Sequence, residues 1–353
     1  MAYPRPVLPA DEATKVRDMR TIDVPLTASK IFTLLGVWGL AAVAALFIPR
    51  LLGLAPAETF SRAWWLAMVI RAPFFLLGGF AIHGLGVLMH EAAHWNLFPK
   101  KFWNDLAGIV ISLPIGLIVT GYRVVHMLHH AEERSADDPD ELENLKPSWF
   151  RLMVFYTWLF VGMEGYVIFV FFTSLFKARN WSQRLYVAFN YALMIGVWST
   201  AIALAVRGGW VPTLLTVWVG PTFAATLVAN VRGLAEHTMT FREEGPYRAT
   251  RTTVSHPLVS WFMNNGNYHL EHHLFPDVAW HRLPELHTMM RPRLEQERAQ
   301  LSRGYLAYLK AAFTVGPLGR VESTLADRWP RRIDRPIVAA PAGASSAAGA
   351  QPA

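Results

Sequence analysis

Apolar and polar positions fall in long blocks along this chain, not in the short periods of a water-soluble fold. Ile31 to Pro49 carries no charge between Lys30 and Arg50, and as a helix it is long enough to cross a bilayer core of about 30 Å. Trp64 to Met89 is a second run, broken only by Arg71, and Leu106 to Tyr122 is a third, short and with Pro114 in its middle. Leu152 to Phe176 follows with Glu164 inside it, and Leu185 to Val206 and Gly208 to Val231 form a closely joined pair around Arg207. Beyond Arg232 the chain turns polar. Residues 1–30 mix both signs of charge around no apolar core, which predicts an N-terminal segment on the cytoplasmic side and not a signal peptide. Residues 337–353 are rich in Ala, Pro, Ser and Gly, the composition of a disordered tail. Between these ends we expect a membrane domain over 31–290 and a basic helical segment over 291–336.

Composition sharpens this to an all-α integral membrane protein. Hydrophobic residues make up 53% and charged ones only 17%, below the roughly 25% charged of soluble domains. The net charge of +7 suits anionic lipid head groups, and nothing points to nucleic acid. Cysteine is absent, which removes disulfides, thiolate metal sites and a cysteine nucleophile. Histidine is present 13 times.

Eight of those histidines lie in three clusters at the polar edges of apolar runs: His90 and His94; His126, His129 and His130; His269, His272 and His273. His237 stands alone after the sixth run. Residues three and four apart share a helix face, so each cluster can aim two or three imidazoles at one point. Eight imidazoles exceed what one four-coordinate zinc uses and suit two ions side by side. A single centre also needs all three clusters on one side of the membrane. That requires two crossing hairpins, the first two runs and the last two, with the third and fourth runs re-entrant or interfacial: about four transmembrane helices below a histidine-rich cap. Lys177, Arg179 and Arg184 before the last hairpin, and Arg232, Arg242, Arg248 and Arg251 after it, place the cap in the cytoplasm by the positive-inside rule.

These clusters, in this order, resemble the histidine boxes of the membrane fatty acid desaturase family. Their settings add to the likeness: Asp138-Pro139-Asp140 after the second cluster, Asn267-Tyr268 before the third and Leu274-Phe275-Pro276 after it. The resemblance covers roughly residues 30–290. It implies a non-haem di-iron oxidase of the bacterial cytoplasmic membrane that uses O2 and two electrons to put a double bond into a lipid-like acyl chain. The electrons would come from a separate ferredoxin, rubredoxin or cytochrome-type donor. It implies His90, His94, His126, His129, His130, His237, His269, His272 and His273 as iron ligands. Members with an additional Asn ligand carry it four residues before the isolated histidine. Here that position is Gly233, so the ligand is absent or replaced by Asn267 or water. Glu91, Asp138, Asp140 and Glu271 are the candidates for orienting the outer ring nitrogens.

Two other readings stay open. The same scaffold supports hydroxylation or ketolation of carotenoid, sphingolipid or alkane. More remotely, His90-Glu91-Ala92-Ala93-His94 fits the H-E-x-x-H pattern of a zinc protease with Glu91 as general base, which would leave six clustered histidines idle. His83, about 10 Å along the helix from His90, reads as a buried histidine near the substrate path. His256, His281 and His287 read as surface or interfacial, as does Trp280.

Overall fold

The computed structural model describes residues 6–321, so the predicted tail lies outside the described residues. A short helix, α1 (Ala10–Asp18), precedes two long ones, α2 (Val24–Leu51) and α3 (Arg62–Ala93). Each long helix starts at a side-chain cap. Asp23 accepts the amide of Leu26 at 2.9 Å, and Ser61 Oγ accepts that of Trp64 at 3.2 Å. Then come α4 (Lys101–Ser112), α5 (Val119–Glu132), α6 (Ser148–Lys177) and α7 (Trp181–Arg207). The next span runs from Val211 to His237 as α8 (Val211–Leu214), a π-helical turn and α9 (Gly220–His237). Among the described residues five helices, α2, α3, α6, α7 and the α8–α9 unit, are long and apolar enough to cross a membrane. Their outer faces expose Phe32, Leu40, Phe160, Phe172, Phe189 and Ile195, surface that water disfavours and lipid accepts.

The third apolar run folds back on itself. At 12 residues, α4 covers only about 18 Å, and residues 113–118 turn the chain into α5. The carbonyls freed at the turn are claimed from α7 and the α8–α9 unit. Trp198 Nε1 donates to Leu113 O at 2.8 Å and Trp218 Nε1 to Pro114 O at 2.9 Å, with the two indoles stacked 3.5 Å apart. Irregular backbone at this depth is tolerated only with such partners.

The fourth run forms α6, 30 residues and long enough to span, with Glu164 on its exposed face. It bends at Val161 (φ −134°, ψ 20°), and the amide freed there, Met163 N, donates to Asn230 Oδ1 of α9 at 2.7 Å. Asn230 is fully buried. Asn230→Ala would leave that amide unsatisfied in an apolar setting, at about 1–3 kcal/mol, and should lower the melting temperature in detergent. An unchanged melting curve would refute this role.

Helices α3 and α9 touch backbone to backbone at Gly79. A Cβ there would lie 2.7 Å from Ala224 Cβ and 2.9 Å from Ala225 N. Past α9 the chain builds a cap: α10 (Pro246–Ala249), β1 (Thr252–Val254), α11 (Pro257–Phe262), α12 (His269–Leu274), α13 (Leu283–Gln296), β2 (Leu301–Arg303) and α14 (Tyr305–Thr314). The strands pair in parallel, Thr252 with Leu301 and Val254 with Arg303, an arrangement the hydropathy pattern does not announce. Leu270, Leu283, Leu286 and Met290 form the cap's core, and Val16 of α1 and Met19 just after it pack into it. Trp280, expected against lipid head groups, is instead buried with residues of α3 and α5, because the chain after α12 folds back over the helix ends.

Candidate metal centre

All nine predicted ligands converge at one end of the helix bundle. His90 lies in the last turn of α3 with His94 as its C-terminal cap, the second cluster lies on α5, His237 ends α9, and α12 carries the third cluster. Helices α3, α5 and α9 thus direct their C-terminal ends, the negative poles of their dipoles, at the centre, where a cation is favoured. Two buried arginines fix these ends. Arg123 of α5 donates to Ala92 O (2.8 Å) and Ala93 O (2.9 Å), joining the first cluster to the second. Arg251 donates to Ala235 O (2.5 Å), Thr238 O (2.9 Å) and Met239 O (3.0 Å) where α9 stops. Arg248 is buried as well, and Arg232 is partly buried and paired with Glu236, so three of the seven cations that suggest sidedness are structural.

The donors fall into two groups. His90, His94, His126, His130 and His272 each offer a ring nitrogen within 4.8 Å of the others. Within this group His126 Nε2 is 2.9 Å from His94 Nε2 and 3.1 Å from His130 Nε2, and His272 Nε2 is 3.3 Å from His130 Nε2. The second group is two overlapping sets that share His237: His129, His237 and His273, and His237 with His269. His269 Nε2 lies 2.9 Å from His237 Nε2 and 3.0 Å from His273 Nε2. Nitrogens about 3 Å apart have the spacing of neighbouring donors on one ion held at about 2.0–2.2 Å. His90 Nε2 is buried and unpartnered among the described residues, an orphan that a metal would satisfy.

Protonation suits the same purpose. Burial holds His94 down at about 3 and keeps His126, His130, His269 and His272 well below the usual imidazole range, so these rings are neutral donors at pH 7. His129 is the exception. Burial works against its charge, but the hydrogen bond and charge of Asp138, helped by Asp140 and Glu133, raise it to about 9. A metal there must displace a proton.

The outer nitrogens show which carboxylates orient the rings. His90 Nδ1 donates to Glu91 Oε1 at 3.1 Å and His129 Nδ1 to Asp138 Oδ1 at 2.9 Å. Asp138 also accepts the amides of Arg134 (2.8 Å) and Asp140 (2.9 Å). Two of the four candidates go elsewhere. Asp140 accepts from Tyr166 at 3.0 Å, and Glu271 accepts from His287 Nδ1 at 2.5 Å and from Thr252. His287, expected at the surface, is therefore buried as Glu271's partner. Glu133, overlooked in the sequence, places Oε1 3.0 Å from His273 Nδ1. Its position, one turn past the second cluster, was the available signal. His256 is exposed and accepts the amide of Leu258, and His281 is half-buried. His83 is buried, with Nε2 unpartnered among the described residues.

A cavity of about 410 Å³ opens onto this cluster. His90, His126, His129, His237 and His269 form its inner end, and Met89, Trp158 and Phe169 are among its apolar walls. Asp140, Tyr166, Arg232 and Glu236 add polar groups.

Comparison with known proteins agrees with this arrangement. The chain is 24% identical over 237 residues to a sphingolipid delta(4)-desaturase of Schizosaccharomyces pombe, covering 61% of this chain and 60% of that one. It is 24% identical over 249 residues to a chloroplastic omega-6 fatty acid desaturase of Arabidopsis thaliana, covering 63% and 55%. It is 27% identical over 248 residues to a beta-carotene ketolase of a Paracoccus species, covering 64% and 88%. The matched part thus spans under two thirds of the two desaturases' own lengths. Residues 63–305, most of the described chain and all the histidine clusters, match the sequence pattern defined for Fatty acid desaturase, and the chain belongs to that family.

Proposed function

We propose that the protein is a membrane-bound di-iron enzyme that introduces a double bond into the alkyl chain of a lipid-like substrate, with O2 and an external ferredoxin, rubredoxin or cytochrome-type electron donor. The observation that carries this reading is the pair of adjacent all-histidine groups facing an apolar-walled cavity. Five and four imidazoles are too many for a single zinc and fit two irons. Bound there, iron would supply the oxidising power to break an unactivated C–H bond, which no acid–base side chain has.

The chain's own residues do the rest. Met89, Trp158 and Phe169 hold the alkyl chain by contact and exclude water, and Asp138, Glu91 and Glu133 keep the rings turned inward. Topology follows from convergence. Since α3, α5 and α9 end at one centre, an even number of the three intervening spans crosses. α7 and the α8–α9 unit, joined by a tight turn, make the hairpin, and bent α6 lies along the interface. Exposed Lys177 and Arg179 keep this end cytoplasmic.

Insertion of oxygen, as a hydroxylase or ketolase, is the second reading. It is supported by the ketolase matched over 88% of its length and by the unpartnered His83 Nε2 and Asp140 Oδ1 on cavity-lining residues. Zinc proteolysis fits poorly, because Glu91 sits on the outer edge of His90, where it cannot serve a metal-bound water.

The test is metal and product together. Protein purified after expression with iron should hold about two irons per chain, and lipids of the expressing cells should carry new double bonds. New hydroxyl or keto groups would select the second reading, and one zinc without iron would overturn both. Glu91→Gln should weaken metal binding about 10–100-fold and leave residual activity, whereas a protease would lose all of it.

A further inference from the structure

The two histidine groups are unequal: five imidazoles in one, and in the other the three of His129, His237 and His273 with His269 in contact with two of them. The second is completed by a residue that no histidine pattern predicts. Glu236, buried at the end of α9, brings a carboxylate oxygen into a donor set with His237 and His269, all within 4.8 Å, and its Oε2 is 3.7 Å from His269 Nε2. Its other oxygen is occupied. Arg232 Nε donates to Oε1 at 2.6 Å, and Arg232 is itself tied to Gly266 O at 3.2 Å. The carboxylate is thereby clamped at one oxygen and free to ligate with the other. One turn earlier stands Gly233, where a Cβ would meet nothing within 4 Å. Both residues line the cavity, so the place of the family's asparagine is open space beside Glu236.

Building on the metal reading above, we infer that Glu236 is an oxygen ligand of the second metal, making two five-donor sites and taking the place of the asparagine that Gly233 cannot supply. A hard, anionic donor on one ion only makes the sites chemically distinct. The second binds a hard divalent ion relatively more tightly than its imidazoles alone would.

The test is metal binding without turnover. The full-length protein in detergent, stripped of metal, is titrated anaerobically with Co2+, following metal per chain and the visible d–d absorption. Wild type should take two equivalents; fewer than two would sink the di-metal reading itself. Glu236→Gln keeps volume and a hydrogen bond to Arg232. Glu236→Asp keeps the charge pair but withdraws the oxygen. Each should bind the first equivalent normally and the second about 10–100-fold more weakly, with a stronger d–d band as that site loses a donor. Melting of the metal-free protein shows which variants are folded. Gly233→Asn added to Glu236→Gln should restore the second equivalent by offering an amide oxygen from the same face. Two equivalents at wild-type affinity in either folded variant would overturn the assignment. So would failure of Gly233→Asn to restore binding, since Glu236 would then act only through its neighbours.

Discussion

His272→Ala should yield a folded protein that holds one iron fewer and forms no product. His272 stands in the middle of the first donor group. Its ring centre lies 4.5 Å from that of His90 and 4.7 Å from that of His94, and its Nε2 faces His130. It is also the only third-cluster residue in that group, so its loss leaves four donors from α3 and α5 with nothing closing them from the cap. The helices themselves are held by Arg123 and by the contact at Gly79, neither of which involves His272, and so the fold survives. The control is His256→Ala. This residue only caps a short helix at the surface, where removal costs about 0.5–2 kcal/mol and should leave iron and turnover unchanged. Elemental analysis and product assay on the two variants decide the matter. Two irons and normal turnover in His272→Ala would mean that the three clusters do not act together.

Gly79→Ala is expected to be the most damaging change made outside the centre. The added methyl meets Ala224 Cβ at 2.7 Å, Ala225 N at 2.9 Å and Ala224 C at 3.0 Å. Two of these are backbone atoms, so no rotamer change relieves the clash and α9 must move from α3. Overpacking of this kind costs about 1–3 kcal/mol. Here it also displaces Glu236 and His237 relative to His90. Loss of thermal stability should therefore come with loss of the second metal ahead of the first. If Gly79→Ala melted like wild type with both irons in place, the close approach would not be what sets the distance between the two donor groups.

The convergence of the histidine clusters was legible in the sequence because spacing alone puts His126, His129 and His130 on one face, and likewise His269, His272 and His273. What spacing cannot give is partnership across the chain. Glu236 and Glu133 look like ordinary carboxylates until the fold sets them beside His269 and His273. Arg251 and Arg248 look like the charges that follow a membrane span, yet Arg251 caps α9 from inside. Glu271 and His287 each looked assignable alone, one to the centre and one to the surface, and they pair with each other. Helix α6 shows the same limit: hydropathy does not say which way Glu164 faces, and it lies on the exposed side.

The scatter of the donors along the chain has a consequence for biogenesis. Each group takes residues from before His130 and from after Gly266, with three long helices synthesised in between. A ribosome that has released α3 and α5 has delivered most of the first group, yet neither group is complete until α12 emerges. On the metal reading proposed above, metallation follows insertion and acts as a clasp, tying the last-made cap to the first-made helices.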